Sequence, residues 1–340
     1  MTFSMRRRAF LLALAGLPVA SCSQTQCGCA DDTTGKDTCV PPPEFKNGHV
    51  KVAAVGDSLT FGRHASRRSN SYPSVMQRLL GSEYQVYNLG CPGSRAEMWT
   101  QGKKVSGRVE FPSYWTTDKF KLLNSSQWDI VVMMLGTNDD VAGCHGDVIG
   151  GGCNSSSTFD GDYRALVEQL MQFGRGAGQP PLVILVTPPP LAKQSCPSHG
   201  NLHAYEARRL VDGHNRIVTA SMVPQIAREH ALPVVDVTSS FSDGMQLDYQ
   251  VARTSASCHF YCNQTESAAC EAAGATRDAF RRGVCTCDHT HLSDDGYLVL
   301  AEVVSKTVQT EWARLPQSAR RVRRRGERQF RSLQANSDAH

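Results

Sequence analysis

The sequence predicts a three-layer α/β/α domain on a central parallel sheet, with a cysteine-rich insertion. Two patterns predict it. Short runs that are apolar at nearly every position recur along the chain, each ending in glycine or polar residues, and amphipathic helical patterns lie between several of them. A strand buried on both faces reads as such a run, because helices cover both sides of a parallel sheet. Composition agrees, since 40% apolar and 20% charged residues suit a chain that buries a substantial core and exclude disorder throughout. Length alone, at 340 residues, does not decide between one large domain and two small ones.

The first run, Val50 to Val55, is closed by Gly56; Tyr84 to Leu89, Ile130 to Leu135, Leu182 to Val186 and Pro233 to Val237 follow. Tyr163, Leu166, Val167 and Leu170 are spaced to form one helical stripe against a sheet. A last helix is expected to begin after Ser293 as N-cap and to run to about Trp312, with Tyr297, Ala301, Val304, Val308 and Trp312 on one face. The domain so defined spans residues 49–313. Residues 239–287 form a cysteine-rich insertion, too long for a plain connector and expected to be a disulfide-tied cap. Residues 314–340 lack apolar periodicity and crowd arginines from Arg320 to Arg331, which reads as a solvated tail, with contact to an anionic surface as the alternative.

Residues 1–21 read as a signal peptide, with Arg6, Arg7 and Arg8 ahead of an apolar run too short to span a bilayer. Secretion is the expectation; Val19-Ala20-Ser21-Cys22 offers the alternative of a lipid anchor at Cys22, and Arg7-Arg8 resembles a twin-arginine signal. Residues 22–48 form a Cys/Pro-rich linker. Thirteen cysteines in an exported chain read as disulfides, whose connectivity stays open. Asn124, Asn154 and Asn263 lie in glycosylation sequons. Net charge is only +4, no nucleic-acid module accompanies the arginines, and no nucleic-acid partner is expected.

Chemistry enters at the strand ends. Gly56-Asp57-Ser58-Leu59-Thr60 places Ser58 just beyond the first strand with its hydroxyl exposed, where a base could make it a nucleophile. Alone, the segment reads as a helix N-cap. Asp288-His289-Thr290-His291-Leu292, just before the last helix, adds a carboxylate and an imidazole close enough in sequence to bond on one turn. Imidazole, with a reference pKa of about 6.5, is a competent base at neutral pH. Asn88-Leu89-Gly90-Cys91-Pro92-Gly93-Ser94 has glycines that let a backbone N–H approach a substrate. Gly136-Thr137-Asn138-Asp139 offers the Asn138 amide as a second donor to a developing oxyanion. Each short segment is by itself also an ordinary turn.

The ordered set resembles the SGNH/GDSL hydrolase family over about residues 49 to 313. The resemblance implies a flavodoxin-like fold and ester hydrolysis without metal or organic cofactor. It assigns Ser58 as nucleophile and oxyanion donor, Gly93 and Asn138 as further donors, and Asp288 and His291 as the remaining triad members. Gly93 is preferred to Gly90 by its place in the family's block, and His291 to His289 by register. The many cysteines depart from the family's usual pattern.

Three rivals stand beside this reading. Cys285, Cys287, His289 and His291 could ligate zinc, though structural zinc sites usually space their ligands more widely. A non-catalytic polysaccharide- or lipid-binding protein could use the same fold. An α/β-hydrolase would need a Gly-x-Ser-x-Gly elbow that the chain lacks. For an esterase, acetylated carbohydrate leads as substrate, with lipid acyl esters as the alternative.

Overall fold

The computed structural model describes residues 44–46, 48–63, 65–98, 103–105, 108–110, 112–139, 155–173, 179–189, 221–237, 291–317 and 319–320. The signal peptide, most of the linker, the 239–287 insertion, Asp288, His289 and nearly all of the arginine-rich tail lie outside these residues.

A five-stranded parallel sheet runs in the order β2-β1-β5-β6-β7. Its strands are β1 (Val50–Gly56), β2 (Tyr84–Gly90), β5 (Ile130–Met134), β6 (Leu182–Val186) and β7 (Val234–Val235). All five expected runs contain strands, with ends shifted by up to two residues, the last run being strand only at Val234–Val235. An antiparallel hairpin of β3 (Lys103–Val105) and β4 (Arg108–Glu110) was not foreseen. Three-residue polar strands carry no readable period.

The central strands are apolar at nearly every position, Lys51 of β1 excepted, because both their faces are covered. Val50, Val52 and Ala54 of β1 join Ile130, Val132 and Met134 of β5 in one core, against α2 (Tyr72–Leu80) and α6 (Asp294–Arg314). Ala53 and Val55 join Val131 and Met133 in the other, against α3 (Asp118–Ser125), α4 (Ser155–Leu170) and α5 (Val223–Glu229). The expected stripes are both buried, Tyr163 to Leu170 in the second core and Tyr297 to Trp312 in the first. Ser293 caps α6 as expected, its Oγ accepting the Gly296 N–H at 3.2 Å. Phe45 packs edge-on against Tyr87 and Trp128, so chain before β1 also docks on the domain.

From β1 the chain crosses to β2 on one side, and the next sheet strand, β5, pairs with β1 on the other. This reversal opens a crevice at the carboxyl ends of β1 and β5, the usual place for a site in an open α/β sheet. Two glycines shape it. A Cβ at Gly56 would lie 2.5 Å from the Met134 carbonyl oxygen, and one at Gly90 only 2.2 Å from the Phe61 nitrogen. Each lets α1 (Ser58–Phe61), the short helix that carries the Ser58 turn, lie flat on the strand ends.

We expect Gly90→Ala to lower stability by about 1–3 kcal/mol, the usual cost of overpacking. Urea denaturation measures it. An unchanged midpoint would mean that α1 does not lie where described.

Candidate active site

Ser58 is the first residue of α1, directly after β1. Asp57 caps the helix, its Oδ1 accepting the Leu59 N–H at 2.8 Å, and Gly62, at φ 90°, ends it. Such a tight strand-to-helix passage fixes the backbone on both sides of Ser58. The Ser58 hydroxyl was expected to be exposed; instead the residue is only 4% accessible. Its Oγ lies 2.7 Å from His291 Nε2. His291 stands just ahead of α6, and the Ser293 cap behind it anchors this approach. The two side chains come from opposite ends of the domain's sequence, and the fold brings them into hydrogen-bond contact.

The segment after β2 forms a tight turn. Ser94 N–H donates to the Cys91 carbonyl at 3.1 Å. Pro92 and Gly93 occupy its centre, Gly93 at φ 78°, the left-handed conformation that a Pro-Gly turn requires and that glycine adopts without a steric cost. Gly90 has a different part: its N–H donates to Asn88 Oδ1 at 3.0 Å and its bare α-carbon abuts α1. Only Gly93 lies on the turn.

Asn138 belongs to a helical turn of residues 137–139 that follows β5. Its Nδ2 donates to the Ser94 carbonyl at 2.9 Å, which locks the amide to the Gly93 turn. An amide nitrogen has two hydrogens, so this bond orients the second. Asp288, the remaining expected member of the site, lies outside the described residues, as do His289, Cys285 and Cys287 of the zinc alternative.

Two buried carboxyls that motif reading left without a role support this arrangement. Asp139 accepts the Ala96 N–H at 3.1 Å and the Glu97 N–H at 3.0 Å, so it holds the chain just beyond the Gly93 turn. Burial pushes its carboxyl up to about 7, against the pull of those two N–H groups. Asp57 is also fully buried, and burial raises it to about 6, opposed by the Leu59 N–H, the charge of His291 and the Thr137 hydroxyl. From α4, Asp162 Oδ2 accepts the Met98 N–H at 3.0 Å. Both motifs named Asp57 and Asp139, but their burial is a tertiary property that no spacing reveals.

The folded protein keeps the Asp139 proton to higher pH than the unfolded chain does. The stability it contributes is therefore complete below about pH 3.8 and is lost as pH rises to about 7. We expect the advantage of wild type over Asp139→Asn in urea midpoint to shrink across that window and to stay level above it. An advantage that widened with pH would contradict the assignment.

The profile of the GDSL-like Lipase/Acylhydrolase family matches residues 54–299. No curated protein sequence matches the chain. Among solved structures, a carbohydrate acetylesterase family member from Sinorhizobium meliloti is 18% identical, with 77% of this chain and 98% of that one covered and a TM-score of 0.47. The native aryl esterase of M. smegmatis is 19% identical, with 77% and 99% covered and a TM-score of 0.46. A lipase/acylhydrolase from Enterococcus faecalis is 18% identical, with 77% and 96% covered and a TM-score of 0.45. The matched residues run from the Ser58 turn through the Gly93 and Asn138 turns to the start of α6, and the chain belongs to the GDSL-like lipase/acylhydrolase family, whose chemistry is the hydrolysis of carboxylic esters.

Proposed function

We propose that the protein hydrolyses esters through an acyl-enzyme formed on Ser58, with His291 as general base and Asp288 as the carboxylate that orients it. The observation that carries this reading is the 2.7 Å contact between Ser58 Oγ and His291 Nε2 in the crevice. With the imidazole neutral and protonated on Nδ1, the Ser58 hydroxyl donates to Nε2, which takes the proton as Oγ attacks the ester carbonyl. Asp288 accepts from Nδ1 and stabilises the imidazolium. The proton then passes to the leaving alkoxide, and water, activated by the same base, releases the acid.

Three donors hold the tetrahedral oxyanion: the backbone N–H groups of Ser58 and Gly93, and the second N–H of the Asn138 amide. The Asn138–Ser94 bond supports this grouping, because it joins the amide and the glycine turn into one unit that needs no rearrangement as charge develops.

The substrate is an extracellular ester with a small acyl group, acetylated carbohydrate ahead of lipid. Ser58, Asn138 and His291 are each no more than 9% accessible, a recess suited to acetyl before a long chain. The export-type N-terminus and thirteen cysteines, of which the buried Cys91 is disulfide-bonded, support secretion, with lipidation at Cys22 the alternative.

Ser58→Ala is expected to abolish p-nitrophenyl acetate hydrolysis, and Asn138→Ala to lower kcat by roughly 10²–10³ with KM little changed. Asp288→Asn should likewise reduce kcat more than KM, and a change confined to KM would remove it from the scheme. Rates on p-nitrophenyl esters should fall as the acyl chain lengthens, and acetylated xylan should be hydrolysed faster than phospholipid. The reverse order would place the protein among lipid acyl hydrolases.

A further inference from the structure

A hydrogen-bonded cluster joins the loop after α1 to the start of α6, and the hydrolytic scheme gives it no part. Asp294 is the first residue of α6 and follows the Ser293 cap. Its Oδ1 accepts the Ser66 N–H at 2.9 Å. Oδ2 accepts from Ser66 Oγ and, at 2.7 Å, from Asn70 Nδ2. Asn70 Nδ2 also donates to Ser66 Oγ at 3.0 Å, which closes the cluster. One turn along α6, the Tyr297 hydroxyl donates to the Arg63 carbonyl at 2.7 Å. The Arg63 N–H in turn reaches the Ser58 carbonyl at 2.9 Å. A continuous path of bonds thus leads from the nucleophile's backbone, through the loop, to the helix start that presents His291.

Helix stability alone does not call for this arrangement. Ser293 already caps α6, and Asp295 supplies a second first-turn carboxylate. What Asp294 adds is three donors from residues 224 and 228 positions earlier in the chain, gathered on one carboxylate that is only part-exposed. Charge-assisted bonds to a carboxylate are short and directional, so they set separation as well as affinity.

We propose that Asp294 is a positioning residue that clamps the Ser58 loop to the His291 helix and thereby sets the distance over which the proton passes. The inference rests on the hydrolytic roles proposed for Ser58 and His291. A misplacement of about 1 Å remote from the reacting atoms can cost up to about 10²-fold in rate, which is the scale of effect expected.

The test uses the full chain. Reactive Ser58 is counted with a fluorophosphonate, and kcat and KM for p-nitrophenyl acetate are expressed per titrated site, so that unfolded protein does not enter. Asp294→Ala should lower kcat about 10- to 10²-fold with KM changed by less than about twofold, while the exposed Asp295→Ala leaves both near wild type. Ser66→Ala combined with Asp294→Ala should be no worse than Asp294→Ala alone, because the two belong to one unit. Wild-type kcat per site in Asp294→Ala, or losses that multiply in the double variant, would overturn the clamp. If Asp294→Ala does not fold, Asp294→Asn and Asn70→Ala carry the same comparison: a several-fold fall in kcat per site supports the clamp and an unchanged kcat overturns it. An inactive wild type would instead refute the ester-hydrolysis reading on which the clamp rests.

Discussion

The 2.7 Å contact of Ser58 Oγ with His291 Nε2 joins two side chains 233 residues apart in sequence, and it is the constraint around which the domain is arranged. Contact of this kind tolerates little error, since a hydroxyl and an imidazole exchange a proton only within hydrogen-bond reach. The parallel sheet supplies the rigidity. β1 delivers Ser58 and β5 delivers Asn138 on either side of the chain reversal, while α6, packed on the sheet through Tyr297, Leu300, Val304 and Val308, brings His291 over them.

Close approach then dictates composition. Gly56 and Gly90 leave space that a methyl group would fill, so α1 can press its first turn onto the strand ends. Gly93 bends the chain after β2 through a positive φ, and Asn138 ties that bend to the turn after β5. Buried carboxyls complete the frame, Asp57 at the start of the Ser58 helix and Asp139 beside the Gly93 turn. Holding these carboxyls away from water opposes their ionisation, and site geometry is thereby linked to pH.

Much of the architecture was legible from residue patterns. The central strands stand out because both faces are covered, which makes β5 apolar at every position and β1 at all but Lys51, and α6 stands out by its cap and stripe. The β3–β4 hairpin had no such signal, because strands of three residues, Lys-Lys-Val and Arg-Val-Glu, are too short to show a period. Within the site, Ser58, His291 and Asn138 could be picked out because their motifs fall at strand ends and before the last helix. The parts played by Asp57, Asp139 and Asp294 could not, since burial and a partner more than two hundred residues distant arise only from the tertiary fold. Gly90 shows the same limit, since the room its bare α-carbon leaves for α1 follows from packing and not from the motif.

The most direct test of the central claim is to find which residue an organophosphonate modifies, and whether modification needs the imidazole. Intact-mass and peptide mass spectrometry of the treated protein should show a single adduct on Ser58, formed far more slowly in His291→Ala. An adduct on another residue with Ser58 free, or equal labelling rates with and without the imidazole, would contradict the account.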